Sequence, residues 1–278
     1  VSASTDAGRG FGPVMVASGC GGTGRELAAF ADLAGLDFVT RSITLDPRRG
    51  GPSPRIAETP SGLVNAVGLD NPGLEHFLAT ELPLLVRAGA RVFVSVAGAT
   101  LGEYADLARR LSRAPGVGGL EVNLGAPDQV GQGLFEVREP FHAASVVAAV
   151  RREFPADLPV LAKLRPDLTR VVEGARGVLD AGATAVVIGN AVPASMPDGR
   201  PAGLTGPAIM PVALRCLAEV TAELGPVPLI GAGGITDAAD ARRFLDLGAM
   251  AVQIGTALLH DPTTVTRVRA ALTREETR

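Results

Sequence analysis

Tryptophan is absent from this chain, tyrosine occurs once and cysteine twice in 278 residues. The two cysteines, Cys20 and Cys216, form no Cys-x-x-Cys pair. A disulfide framework, a zinc ribbon or a cluster site within the chain is therefore not expected. No apolar run reaches the roughly 20 residues of a transmembrane helix. Residues 1–10 lack the charged-then-apolar layout of a signal peptide, so a cytoplasmic protein without membrane contact is expected. The net charge is -3 and the basic residues are scattered, which gives no footing for nucleic acid. Hydrophobic residues make up 46% and charged residues 20%, enough for one sizeable core in a single domain over 1–278 and too little charge for disorder.

What the chain has in quantity is glycine, 35 residues of it, which suits tight loops and close backbone approach to a cofactor. A unit recurs at 33–39, 87–94, 180–187 and 246–253: a helix-patterned stretch ends in Ala-Gly or a near variant, and a β-branched run follows. Glycine after the last helical turn takes the left-handed cap, and the chain then enters a strand. Eight strand candidates lie at 14–17, 38–40, 92–96, 119–123, 160–164, 185–189, 229–231 and 251–254. Helix-patterned segments at 24–34, 102–113, 140–154, 171–181, 209–224 and 238–247 separate most of them. Strands apolar throughout, alternating with helices, indicate a parallel sheet covered by helices. Eight such units predict an α/β fold, the (β/α)8 TIM barrel. An open doubly wound sheet fits less well, because the turn at 18–24 lacks the dinucleotide-binding spacing and its later acidic residue.

Two segments break the rhythm. Residues 44–72 carry Pro47, Pro52, Pro54, Pro60 and Pro72, and read as one long loop over the barrel mouth. Residues 130–139 are polar, with Gly131 and Gly133, and read as a lid. The clearest chemical signal follows the last two strands. Gly231-Ala232-Gly233-Gly234-Ile235 and Gly255-Thr256 are turns that place backbone N–H groups around an anion, the usual barrel phosphate site. Gly203-Leu204-Thr205-Gly206-Pro207 closes that cradle from another side. Tight turns alone are the plainer reading.

At this point a resemblance becomes specific. Ala17-Ser18-Gly19, Ile43-Thr44-Leu45, the stretch from Pro54 to Pro60, the stretch from Asn65 to Gly73, Gly203 to Ile209 and Gly231 to Ile235 resemble the dihydroorotate dehydrogenases, in order and from the first strand to the last. The likeness is nearest to class 1, above all its 1B type. The resemblance implies a barrel that binds FMN at its mouth and oxidises dihydroorotate in pyrimidine biosynthesis. Carried across residue by residue, Ala17, Ser18, Gly19, Ser42, Asn123 and Lys163 fall on the flavin side. Lys163 matches a lysine near the electron-rich edge of the flavin, where a cation favours the reduced form. Gly206, Gly233, Gly234, Gly255 and Thr256 fall on the phosphate cradle. Asn65, Asn123 and Asn190 match asparagines that bind the substrate ring, with Gly68 and Leu69 beside them. The alternative, less favoured, is that each is a turn asparagine satisfied by the protein.

The substrate side departs from the family. The strand tip Glu121-Val122-Asn123-Leu124-Gly125-Ala126-Pro127-Asp128 resembles Asn-x-Ser-Cys-Pro-Asn, in which the cysteine is the catalytic base. Here Ala126 holds the cysteine position, Gly125 the serine and Asp128 the final asparagine. Arg41 stands where the family has lysine, a larger planar cation. Asp128 is the nearest candidate for a substitute catalytic base. Cys20 is a second, or else a small apolar filler. The expected activity is an FMN-dependent oxidoreductase on a small cyclic substrate, with altered substrate or direction. The alternatives are orotate formation with a substitute base, and a flavin-binding homologue without catalysis. The resemblance also implies a homo-oligomer and, for the 1B type, an FAD and iron–sulfur partner subunit.

Overall fold

The computed structural model describes residues 10–125, 134, 135, 137 and 139–276. Twelve strands occur among them: β1 (Val14–Val16), β2 (Asp37–Val39), β3 (Ile56–Thr59), β4 (Gly62–Asn65), β5 (Arg91–Val96), β6 (Val117–Asn123), β7 (Val160–Leu164), β8 (Ala185–Ile188), β9 (Val192–Ser195), β10 (Pro201–Thr205), β11 (Leu229–Ala232) and β12 (Ala251–Ile254). Eight of them close a parallel barrel in the order β1-β12-β11-β8-β7-β6-β5-β2. These are the eight strands the sequence predicts. They are short and buried on both faces, which is why they read as apolar runs.

Side chains alternate across each strand. Met15, Val39, Phe93, Leu161, Val187 and Ile230 pack inside the ring with Phe11. Val14, Phe38, Val92, Val94, Leu120 and Val252 face outward under the helices. The interior is closed at the amino-terminal end by Asp37, which is 1% exposed. Its carboxylate accepts from Arg91 through both Nε and Nη2, and from the Gly12 N–H at 2.5 Å.

The outer helices include Leu101–Leu111, Pro140–Glu153, Val171–Asp180, Met210–Leu224 and Ala238–Asp246, close to their predicted spans. Thr100 and Asp237 cap two of them by accepting from Glu103 N and Asp240 N. The segment 24–34 is helical only over Arg25–Ala28. Farther along it Asp32 accepts from Ala34 N at 2.9 Å, a local turn that competes with the helix. Residues 74–87, of which the sequence gives only the helical end at Arg87-Ala88-Gly89 and no start, run through Leu74–His76, a π-helical turn Phe77–Glu81 and Leu82–Arg87. Pro83 has no N–H for the turn before it, and that turn is the widened one.

The main correction concerns 44–72. It is not one loop: β3 and β4 form a hairpin within it, and join β10 and β9 in an antiparallel sheet ordered β3-β4-β10-β9. β3 and β9 are half-exposed and β9 and β10 contain proline, so none carried a buried-strand pattern. The hairpin follows β2 and its partner follows β8, four places away around the ring, so the sheet spans the mouth. Its edges are tied down. Arg200 donates to Pro52 O at 3.0 Å and to Pro54 O at 2.5 Å. Buried Asn71 accepts from Thr44 N and Gly73 N and donates to Leu69 O.

Asp37→Ala should lower the unfolding free energy in urea by about 2–3 kcal/mol. That is below the range of about 3–5 for a fully buried pair, because Arg91 keeps contact with water.

Candidate active site

The carboxyl ends of the barrel strands open into a cavity of about 370 Å³ beneath the spanning sheet. A smaller cleft of about 90 Å³ lies beside it and shares Ser18, Cys20, Lys163, Asn190, Thr205 and Thr256 with it. The larger space collects Ser18, Gly19, Cys20, Arg41, Ser42, Asn65, Gly68, Leu69, Asn123, Lys163, Asn190 and Thr256. The smaller adds Ala17, Gly206, Gly233, Gly234 and Gly255. Every site residue expected from the sequence is therefore on one of two joined walls, except Asp128. Asp128, Ala126 and most of 130–139 lie outside the described residues. Of that stretch, Leu134 lines the cavity and Phe135 N donates to Gly98 O at 3.0 Å.

The smaller cleft is built of backbone. The N–H groups of Gly233, Gly234, Gly255 and Thr256 take no hydrogen-bond partner among the described residues. Four donors left open on one cleft wall suit an anion with several acceptor oxygens. Side chains are excluded from the wall by contact. Gly234 has φ +77, and a Cβ there would meet Met210 Cβ at 2.8 Å and Gly206 O at 3.0 Å. Gly206 has φ +96, and its Cβ would fall 2.8 Å from Gly62 Cα. The residues present thus fit a phosphate-bearing cofactor.

The floor of the larger cavity is a buried polar layer. Lys163 Nζ donates to Gln253 Oε1 at 2.7 Å, and Gln253 Nε2 donates to Glu121 Oε2 at 2.6 Å. Asn123 Nδ2 donates to Ser42 Oγ at 2.9 Å, and the hydroxyls of Ser42 and Ser95 lie 2.9 Å apart. Asn123 Oδ1 accepts from Gly125 N at 3.2 Å and Asn190 Nδ2 at 3.3 Å. Asn65 Nδ2 donates to Gly203 O at 3.3 Å across the spanning sheet. The three asparagines have protein partners and also line the cavity.

These walls can be set beside known proteins. The chain matches the family "Dihydroorotate dehydrogenase" over residues 8–275. It belongs to the dihydroorotate dehydrogenase family. Among its relatives is "Dihydroorotate dehydrogenase B (NAD(+)), catalytic subunit" of Pelobacter propionicus, 43% identical over 94% of this chain and 88% of the relative. Proteins of the same name from Desulforudis audaxviator and Anoxybacillus flavithermus are 44% and 42% identical. They cover 94% and 90% of this chain, and 87% and 82% of their own lengths are matched. Dihydroorotate dehydrogenases are flavoenzymes.

Three features were not found from the sequence. For Glu121 and Gln253 the one signal in the sequence is a polar residue inside an apolar strand. Glu81 gave none: it sits on the unexpected π-turn and binds Arg41 Nη2 through Oε1 at 2.5 Å. Arg41 Nε is buried without a partner among the described residues. Among the same residues no group of His, Cys, Asp or Glu is arranged to hold a metal, and no helix is long and apolar enough to cross a membrane.

Cys20 is placed on the cavity wall, but loss of water pushes its thiol up to about 11, only partly offset by the Lys163 charge. Burial also raises buried Cys216 to about 11. A thiol with that value is protonated at neutral pH and is a poor proton acceptor, which favours the filler reading of Cys20. In the native protein both thiols should react with a disulfide reagent at pH 8 roughly a hundredfold more slowly than a free thiol. Two thiols should titrate rapidly once guanidinium unfolds the chain.

Proposed function

We propose that this protein binds FMN across the two joined clefts and carries out two-electron chemistry at a carbon–carbon bond of a small cyclic substrate. The observation that carries this reading is the set of open backbone donors at Gly233, Gly234, Gly255 and Thr256, at one end of a space whose other end is floored by Lys163. Those amides and Gly206 would hold the phosphate. Ala17, Ser18, Gly19, Ser42, Asn123 and Lys163 would line the ring system. Bound FMN supplies the hydride acceptor or donor.

The chain's own residues bind and orient the substrate. Asn65, Asn123 and Asn190 offer amide donors and acceptors to a polar ring, beside Gly68 and Leu69. Arg41 offers a guanidinium to an anionic group. Residue 126 is alanine, which takes no proton. A positioned base contributes about 100- to 10,000-fold to such reactions. The reading therefore favours a substrate with a more acidic proton, or a reduction that draws its proton from water or a nearby acid. The identity of about two-fifths with dihydroorotate dehydrogenase B catalytic subunits favours a second reading, dihydroorotate oxidation with Asp128 as the substitute base. In either case the words "(NAD(+)), catalytic subunit" in the name of those relatives support a second subunit and NAD(+) as the final acceptor, and the resemblance to the 1B type supports FAD and an iron–sulfur cluster on that subunit. A homo-oligomer of the catalytic chain accompanies this proposal.

Purified protein is expected to be yellow, with FMN released on denaturation. Protein that stays colourless after reconstitution refutes the proposal. Orotate formation should be slow with any acceptor, and Ala126→Cys should raise it by about 100-fold or more. If the second reading holds instead, the starting rate is substantial and falls on Asp128→Asn.

A further inference from the structure

We infer that Glu121, which lines neither cleft, is a positioning residue: it keeps the Lys163 ammonium charged and in place, and through it sets how strongly bound flavin favours its reduced form. The inference rests on the FMN reading for its effect on the flavin, but not for the pair itself.

Glu121 is 0% exposed, Gln253 1% and Lys163 6%. Asn123 is the residue level with Lys163 between β6 and β7, and Glu121 is level with Leu161, so the carboxylate lies one layer deeper than the ammonium. Gln253 comes from β12, which is not a neighbour of β7 in the ring. Its amide bridges the two charges, with the carbonyl toward the ammonium and the N–H toward the carboxylate. Glu121 Oε1 has no hydrogen bond, and it stands 3.6 Å from Lys163 Nζ. A buried carboxylate oxygen without a donor is tolerable only beside a cation, and a buried ammonium needs an anion equally. Each charge is therefore a condition for the other. Lys163 carries three N–H donors, and one is used by Gln253, so the ammonium still has donors for a ligand. The titratable groups facing it are Glu121 below and the Cys20 thiol across the pocket, with Arg41 and the Arg55–Asp70 pair lining the same cavity.

Removing the carboxylate has a signed consequence. While Lys163 stays protonated, the floor changes from net neutral to net positive, which favours the reduced, anionic flavin. As pH rises, a buried ammonium without a counter-charge gives up its proton, and the gain vanishes.

The test is the reduction potential of bound FMN, followed from about pH 6 to about pH 9. At the acid end Glu121→Gln should shift the reduced-to-oxidised ratio toward reduced about tenfold, or about 30 mV for a two-electron couple. The gain should fade with rising pH, giving a break that the native protein lacks. Glu121→Asp keeps the charge and should follow the native profile. In a Lys163→Met background, Glu121→Gln should add no break. A Glu121→Gln profile parallel to the native one, or a break that survives Lys163→Met, overturns the inference. The pair is tested separately in FMN-free protein by urea unfolding. Each single variant should lower the folding equilibrium constant at least tenfold, and the double variant by much less than their product. If Glu121→Gln alone does not fold, adding Lys163→Met should restore folding. Additive losses, or a double variant that also fails to fold, overturn the pair. Coupling intact in protein that never takes up FMN overturns the flavin part and the FMN reading together, leaving the pair standing.

Discussion

Closure of eight parallel strands into a ring is the constraint on which everything else here rests. With strand backbones paired all the way round, the interior is left to side chains, and the strand tips gather at one end. Inside, an apolar layer of Met15, Val39, Phe93, Leu161, Val187 and Ile230 fills the middle. The Asp37–Arg91 pair closes one end of it, and Glu121, Lys163 and Gln253 lie toward the other. Glu121 is level with Leu161 and Gln253 with Met15, so the polar group is bedded in the upper part of that packed layer.

The cavity above that layer combines many donors with little free charge. Three cations line it and each is matched by a carboxylate, Lys163 by buried Glu121, Arg41 by buried Glu81 and Arg55 by the more exposed Asp70. Recognition in such a place depends on the direction of N–H groups more than on bare attraction. The Arg41 guanidinium, held through Nη2 by Glu81, and the remaining Lys163 hydrogens are directed donors. The open amides around Gly233 and Gly255 are directed donors of the same kind on the wall of the smaller cleft.

The ring was legible in the sequence because its strands are apolar on both faces, and the glycine turns because a Cβ would not fit there. The spanning sheet was not legible. β3 and β9 are half-exposed, β9 and β10 contain proline, and β4 and β10 pair across a separation of well over a hundred residues, as Asn65 does with Gly203. The positions of Lys163 and of the three asparagines followed from motif resemblance. What holds them did not, because Glu121 and Gln253 meet only when β6 and β12 face each other across the ring. Glu81 stayed hidden for a different reason: it depends on a local widening of a helix around Pro83.

The sheet over the mouth is anchored on opposite sides of the ring, one foot after β2 and the other after β8. Asn65 belongs to one foot and Asn190 follows the other, and both face the same space. Like a handle fixed at two points on a rim, the sheet cannot lift on one side without dragging the far wall. The two asparagines are therefore joined through one hydrogen-bonded ladder, β4 to β10 to β9, and a displacement at either foot would reach both.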